Sequence, residues 1–557
     1  MLLLAKFFSG LLTNATYLDI FPQELVLPLS MHAVTALFIA LFVVMQPWVK
    51  TITGRLFATL LLISMVMGYD TNLMAIAGVL RGVLPGITDQ EPVAVVSAAY
   101  LLSLAAIAVL AGFLFEKYIK KIRRVSSRDL TLGMLVLVAY LFFMPTVGIV
   151  SKLPTIARQS RTQAKEFTNN VDKGSAERPD IYYIVLDRYT NSSVLGAQFN
   201  FDNSTFTDFL KDNNFVVNEN AYSNYPFTNM SVASTINGQY TNGYVAQDKF
   251  NDVQSSTLYY NLIWQNSVTK SLKAEGYKYY GIGNWYGTSY KHPLADVDYT
   301  WQHKMSVFGK SKTLRGIEAS EFEKSPYYRF FQGSGTAAWW PLKYDIKDHS
   351  TEVKEQISIL KDLSTSKESG GRFIFAHILL PHDPYIFNSD GSLSVYTAPD
   401  NVGKPIKEKY TNQIEFINSQ MKEIVENINK QSNGSAVIVI NADEGPYPWS
   451  LNTTAINPTI YPENDMRKWS DDWLKMKFGI LQAVHIPRAN EEDMANISSA
   501  NIFRIILNRY ANTDLEYLPY CQFGIIDSNT ERYVYADITN RFGGVEQKQC
   551  EEFQSVP

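Results

Sequence analysis

Hydrophobic positions are distributed unevenly along this chain. Four long apolar runs, roughly 29–49, 56–69, 93–115 and 130–150, crowd its first part. The third, VAVVSAAYLLSLAAIAVLAGFLF, carries no charge and is long enough for a hydrocarbon core of about 30 Å. A fifth, weaker run occupies residues 1–20 and lacks a convincing small-residue cleavage site. The pattern predicts a transmembrane anchor of about five helices over 1–151. A polar, aperiodic linker follows at 152–178. From 179 to 490 the pattern alternates. Short β-branched and aromatic stretches at 180–186, 277–282, 372–378, 436–442 and 477–486 read as strands. Helical patterns lie between them at 204–213, 255–275, 351–364 and 406–430. Such alternation predicts an α/β domain, a mainly parallel sheet sandwiched by helices, after an all-α membrane part. Residues 491–557 form a C-terminal extension of the exported domain.

Charge sharpens this division. Residues 1–151 hold ten Lys/Arg and seven Asp/Glu, whereas the remainder is net acidic. A nucleic-acid partner is therefore not expected. The loop EKYIKKIRRVSSRD at 116–129 has six basic residues, and 50–55 has Lys50 and Arg55. Both should be cytoplasmic. The large domain is then exported from a multi-pass anchor, and an Asn-x-Ser sequon at Asn229, where a glycan would crowd Thr228, points to a bacterial inner-membrane protein with its chemistry on the periplasmic or extracellular side. The two cysteines, Cys521 and Cys550, exclude a zinc ribbon. Both lie on the exported side, where a disulfide fits an oxidising compartment.

In parallel sheets ligands bind beyond the carboxyl ends of the strands. Here those ends are polar. Asp187-Arg188 follows the first expected strand. His377-Ile-Leu-Leu-Pro-His382-Asp-Pro-Tyr385 closes the one at 372–378, and Asp443-Glu444-Gly445-Pro446 the one at 436–442. Converging carboxylates repel unless a cation neutralises them. Residues 221–240, AYSNYPFTNMSVASTINGQY, place Thr228 at a helix start near Pro226. Its hydroxyl is either an N-cap or a nucleophile favoured by a metal and the helix dipole. His377 has two readings, a site residue or a core hydrogen-bonding histidine. For His485 a structural role is favoured. Arg188 is a phosphate clamp or an ion-pair partner.

The order of these segments resembles the alkaline phosphatase/sulfatase superfamily. It is similar to its membrane-anchored, sulfatase-like branch, the lipoteichoic acid synthases and phosphoethanolamine transferases. The resemblance spans roughly 179–490. It implies Thr228 as nucleophile and metal ligand, Asp187 as the first acidic ligand, and Asp443 as the Asp of the usual Asp-His-Gly turn. It implies that His382, in PHDPY, contacts substrate phosphate or protonates the leaving group. His377 and Arg188 join it as candidate substrate-binding residues.

Two departures stand out. Thr228-Asn229-Met230-Ser231-Val232 has Thr at the nucleophile position, where sulfate-ester hydrolysis requires Cys or Ser, and lacks the Arg that follows it in sulfatases. Glu444 stands where the branch usually has a metal-binding His. If Glu444 coordinates, the ligands Asp187, Thr228, Asp443 and Glu444 are all oxygen, which favours Mn²⁺ or Mg²⁺, with Ca²⁺ or Zn²⁺ as alternatives. The resemblance then implies a metal-dependent phospho-substituent transferase, of phosphoglycerol or phosphoethanolamine type. It would work from a phospholipid donor to an envelope glycan or lipid through phosphothreonine. The alternatives are a membrane-bound phosphodiesterase or sulfatase-like hydrolase, and an inactive protein that binds an envelope polymer.

Overall fold

The structure, a computed structural model, describes residues 177–247, 255–300 without 285 and 290, 346–366, 371–394, 405–448, 465–527 and 534–543, together with 117, 167, 368, 550 and 553. The anchor expected over 1–151 and most of the 152–178 linker lie outside the described residues. Among those residues no helix is long and apolar enough to cross a membrane. From residue 167 onward the described residues belong to one compact unit.

Its principal elements are β1 (Ile181–Leu186), α1 (Ser204–Asp212), β2 (Val216–Val217), α2 (Thr228–Asn237), α3 (Ser255–Trp264), α4 (Ser267–Ala274), β3 (Lys278–Ile282) and β4 (Val297–Asp298). These are followed by α5 (Ile346–Thr365), β5 (Arg372–Ile378), α6 (Ile406–Ser432), β6 (Val437–Asn441), α7 (Asp471–Phe478), β7 (Gln482–His485) and α8 (Ser499–Tyr510). A separate hairpin pairs β8 (Phe523–Asp527) with β9 (Val534–Asp537). The main sheet has seven strands in the order β2-β7-β6-β1-β5-β3-β4. From β6 to β4 the pairs are parallel. β7 runs antiparallel to both β6 and β2, so the expected, mainly parallel sheet is a mixed one.

Two expected elements differ. The strand expected at 477–486 shrinks to β7, because residues up to Phe478 complete α7. Ser470 caps that helix, its hydroxyl accepting from the Trp473 N–H, and Asp471 and Asp472 occupy the first turn, where acids complement the helix dipole. The helix expected over 255–275 is two helices. Asn266 ends the first and caps the second through the Thr269 N–H.

Strand alternation decides where the site lies. Tyr182, Ile184 and Leu186 of β1, Ile374, Ala376 and Ile378 of β5, and Ile438 and Ile440 of β6 enter one apolar core with α1, α5 and α6. Burying each such aliphatic side chain is worth about 1.5–3 kcal/mol. The intervening positions face the other layer. There Tyr183 stacks on Phe375 and meets Phe503 of α8 edge-on. A one-residue slip would exchange the two sets. The core that buries Ile184 therefore also keeps Asp187, His377 and Asp443 on the opposite face, beside α2.

The turn after β6 is pinned to the end of α7, the Gly445 N–H donating to the Lys477 carbonyl at 2.7 Å. A Cβ at Gly445 would meet the Met476 carbonyl oxygen at 2.0 Å and that of Gly479 at 2.7 Å. Backbone cannot swing aside as a flexible side chain would. Gly445→Ala should therefore cost about 1–3 kcal/mol of stability, seen as a lower denaturant midpoint. An unchanged midpoint would show that the turn is free to move.

Candidate active site

Three central strands, β6, β1 and β5, are adjacent and parallel, so their carboxyl ends open at one edge. Each delivers one functional side chain there. Asp187 follows β1, with its N–H still bonded to the Ile378 carbonyl at 3.0 Å. His377 is the penultimate residue of β5, and Asp443 follows β6. All three are buried. One ligand-type atom from each lies within 4.8 Å of the others. The His377 Nε2 is 3.2 Å from Asp187 Oδ2.

Thr228 opens α2 as its first helical residue, and Phe227 occupies the cap position. The alternative of Thr228 as N-cap is thereby removed. Its hydroxyl lies beside Asp443 and favours the ionised carboxylate. Every side chain of α2 is buried, and Gly238 ends it in the left-handed conformation at φ 55°. That conformation costs a glycine little. The adjacent Ser231 hydroxyl donates to the Tyr225 carbonyl at 2.8 Å.

Arg188 joins the strand ends. Its φ of 60° turns its backbone N–H onto Asp443 Oδ1, 3.1 Å away. Its Nε donates to Glu444 Oε1 at 2.9 Å, and its Nη1 pairs with Asp383. The guanidinium also lies 4.4 Å from the centre of the Tyr447 ring. Of the two readings for Arg188, the structure gives it ion-pair partners within the site. Glu444, expected as a possible metal ligand, faces these cations. Its Oε2 forms an ion pair with Lys477 Nζ at 2.8 Å. Among the described residues, the group whose ligand-type atoms all lie within 4.8 Å of one another is Asp187, His377 and Asp443.

His382 borders the site and is part-exposed. Its Nδ1 is turned to the Asp383 carbonyl, and its charge helps to keep Asp187 ionised. The segment carrying it is held by the buried Gln413 of α6, which donates to the Pro381 and His382 carbonyls at 3.1 and 3.2 Å. His485 lies away from the site. Its ring nitrogens face the Asn214 and Gly434 carbonyls.

Electrostatics separates the two aspartates. Burial pushes Asp187 up, but His382, His377 and Arg188 outweigh it and hold the carboxyl at about 2. Asp443 is raised well above the ordinary carboxylate range, by burial first and then by Asp187 and Glu444. Burial likewise lowers Lys477 to about 8, against the pull of Glu444. Asp187 Oδ1 and Asp443 Oδ2 are buried without a hydrogen-bond partner. Leaving a buried acceptor unsatisfied costs about 1–3 kcal/mol, and more when it is charged. Two orphaned carboxylate oxygens beside a histidine are a donor set that fits a divalent ion.

Lys477, Gln413, Tyr447 and the partners of His377 escaped sequence reading. None lies in a recognisable motif. Lys477 is one of two lysines in α7, with Lys475, and nothing in its local pattern marks it as buried.

The raised Asp443 pKa fixes a sign. The folded state holds this proton to a higher pH than the unfolded chain does. Its contribution to the ion-free protein is complete below about pH 4, near the unfolded value. The contribution falls as pH rises toward the raised folded value. Asp443→Asn should flatten that decline and raise the thermal midpoint at neutral pH in the presence of a chelator. Parallel midpoint-versus-pH curves for the two proteins would contradict the assignment.

Residues 179–473 match the family model described as Sulfatase. No curated protein matches the chain. Among solved structures, the C-terminal periplasmic domain of EptC from Escherichia coli is similar at 12% identity, covering 68% of this chain and 96% of that one, with a TM-score of 0.41. The lipoteichoic acid synthase LtaP from Listeria monocytogenes is similar at 11% identity, covering 70% and 93%, with a TM-score of 0.36. With the family model spanning more than half of its length, the chain belongs to the sulfatase family, within the alkaline phosphatase/sulfatase superfamily.

Proposed function

We propose that this protein is a metal-dependent phospho-substituent transferase, anchored in the bacterial inner membrane by residues 1–151. It moves a phosphoglycerol- or phosphoethanolamine-type group from a phospholipid to an envelope glycan or lipid on the exported side. The observation that carries the reading is the threonine hydroxyl at a helix N-terminus beside Asp443, one of two clustered, buried and incompletely satisfied aspartates.

Asp187, Asp443 and His377 would hold the ion, with Thr228 next to it. A nitrogen ligand moves the preference toward Zn²⁺ or Mn²⁺ and away from Mg²⁺ or Ca²⁺. A divalent ion there supplies Lewis acidity and lowers the pKa of a nearby hydroxyl.

The chain's own residues do the rest. Thr228 gives up its hydroxyl proton to water, its Oγ1 attacks phosphorus, an O–P bond forms, and the bond to the donor alcohol breaks. Nδ1 of His382 is occupied by a carbonyl, which leaves Nε2 to give a proton to the departing oxygen. The N-terminal end of α2 favours the incoming anion. An acceptor hydroxyl then attacks the phosphothreonine, gives its proton to Nε2 of the now neutral His382, and displaces Thr228 Oγ1 as the leaving oxygen. Arg188 and Lys477 tie Glu444 outside the ligand group and add positive charge next to the phosphoryl position. Sulfate-ester hydrolysis is disfavoured, because the nucleophile position at the start of the helix is Thr228 and not the Cys or Ser that is converted to formylglycine.

Thr228→Ala should lower turnover of a labelled phospholipid by at least about 10³-fold and leave the thermal midpoint within a few degrees. Retained turnover would remove the proposal. Incubating the wild type with and without acceptor glycan separates the rivals: label entering the glycan supports transfer, and label released to water supports a phosphodiesterase.

A further inference from the structure

His377 is gripped on every polar atom. Its Nδ1 faces the Ser289 hydroxyl at 2.8 Å and the Thr288 hydroxyl at 3.3 Å. Its carbonyl accepts from Asn284 Nδ2 at 2.9 Å and Gln356 Nε2 at 2.7 Å. These partners come from the segment after β3 and from α5, and all four are buried. The segment after β3 is built around this contact. The Asn284 N–H donates to the Ser289 carbonyl at 3.1 Å. A Cβ at Gly283 would meet that same carbonyl oxygen at 2.1 Å, so glycine lets the turn close.

A histidine that merely fills a core needs one partner for each ring nitrogen. Here a dedicated turn fixes one nitrogen and aims the other at Asp187, whose second oxygen is orphaned. We propose that Ser289 is a positioning residue that presents the Nε2 lone pair of His377 to a Zn²⁺-class ion. The inference rests on the metal-site reading above.

A hydroxyl suits this task because it both donates and accepts. Without the ion, His377 Nε2–H donates to Asp187 and the Ser289 O–H donates to Nδ1. With the ion, the imidazole proton sits on Nδ1 and donates to Ser289 Oγ, freeing Nε2. A backbone carbonyl in place of Ser289 would allow only the second arrangement, and an ammonium only the first. Outer partners of this kind set the orientation and basicity of a ligating imidazole.

Calorimetric Zn²⁺ titration of the full-length protein tests the proposal as a double-mutant cycle. Ser289→Ala should weaken Zn²⁺ binding about 10- to 100-fold, with the chelator-treated thermal midpoint little changed. In a His377→Gln background, Ser289→Ala should cause no further loss, because Ser289 acts through the imidazole. Unchanged affinity in Ser289→Ala would overturn the inference while leaving the metal site standing. The same holds for equal losses in both backgrounds, which mark a general structural effect. A wild type that binds no Zn²⁺ would overturn the site reading and this inference with it.

Discussion

Two aspartates share a dry space at the ends of adjacent strands, and the rest of the site answers that constraint. Asp187 and Asp443 are held there by a sheet register that the apolar core on the opposite face enforces. Like charges so placed cannot both ionise freely. The protein divides the burden, with Asp187 held low by His382, His377 and Arg188, while Asp443 rises well above the ordinary range. Each keeps one oxygen without a partner. The arrangement costs stability and makes sense as preparation for a cation.

The surrounding charges fit the same account. Among the described residues, Arg188 and Lys477 are fixed cations in contact with the group, and Asp187, Asp383, Asp443 and Glu444 are its carboxylates. Fully ionised, the carboxylates outnumber these cations even with His382 charged, and a bound cation would offset the excess. Glu444 contributes as the shared partner of Arg188 and Lys477. It thereby holds two cations beside the aspartates and keeps Lys477 buried without isolating its charge.

Much of this was legible in the chain. The strands ending at Leu186, Ile378 and Asn441 were marked by runs of β-branched and aromatic residues, and the polar residues after them announced the site edge. Thr228 could be placed because Pro226 and Gly238 bracket its helix. Other features were not legible, for physical reasons. Whether Glu444 points to the ligand group or to Arg188 depends on side-chain direction in a turn, which residue type does not determine. Lys477 looked like part of a strand, because the Ser470 cap and the acidic first turn that make α7 helical lie upstream of the apolar run. Ser289 and Gln356 meet His377 across 88 and 21 residues. Such partnerships come from sheet order and leave no local pattern.

The central claim is that Asp187, Asp443 and His377, rather than an all-oxygen set containing Glu444, hold a divalent ion beside Thr228. X-ray absorption at the zinc edge on Zn²⁺-loaded full-length protein tests it directly. The account predicts one imidazole nitrogen among oxygen ligands, with that imidazole signature lost in His377→Gln and retained in Glu444→Gln. A shell of oxygen alone, or an imidazole signature that survives His377→Gln, would contradict it.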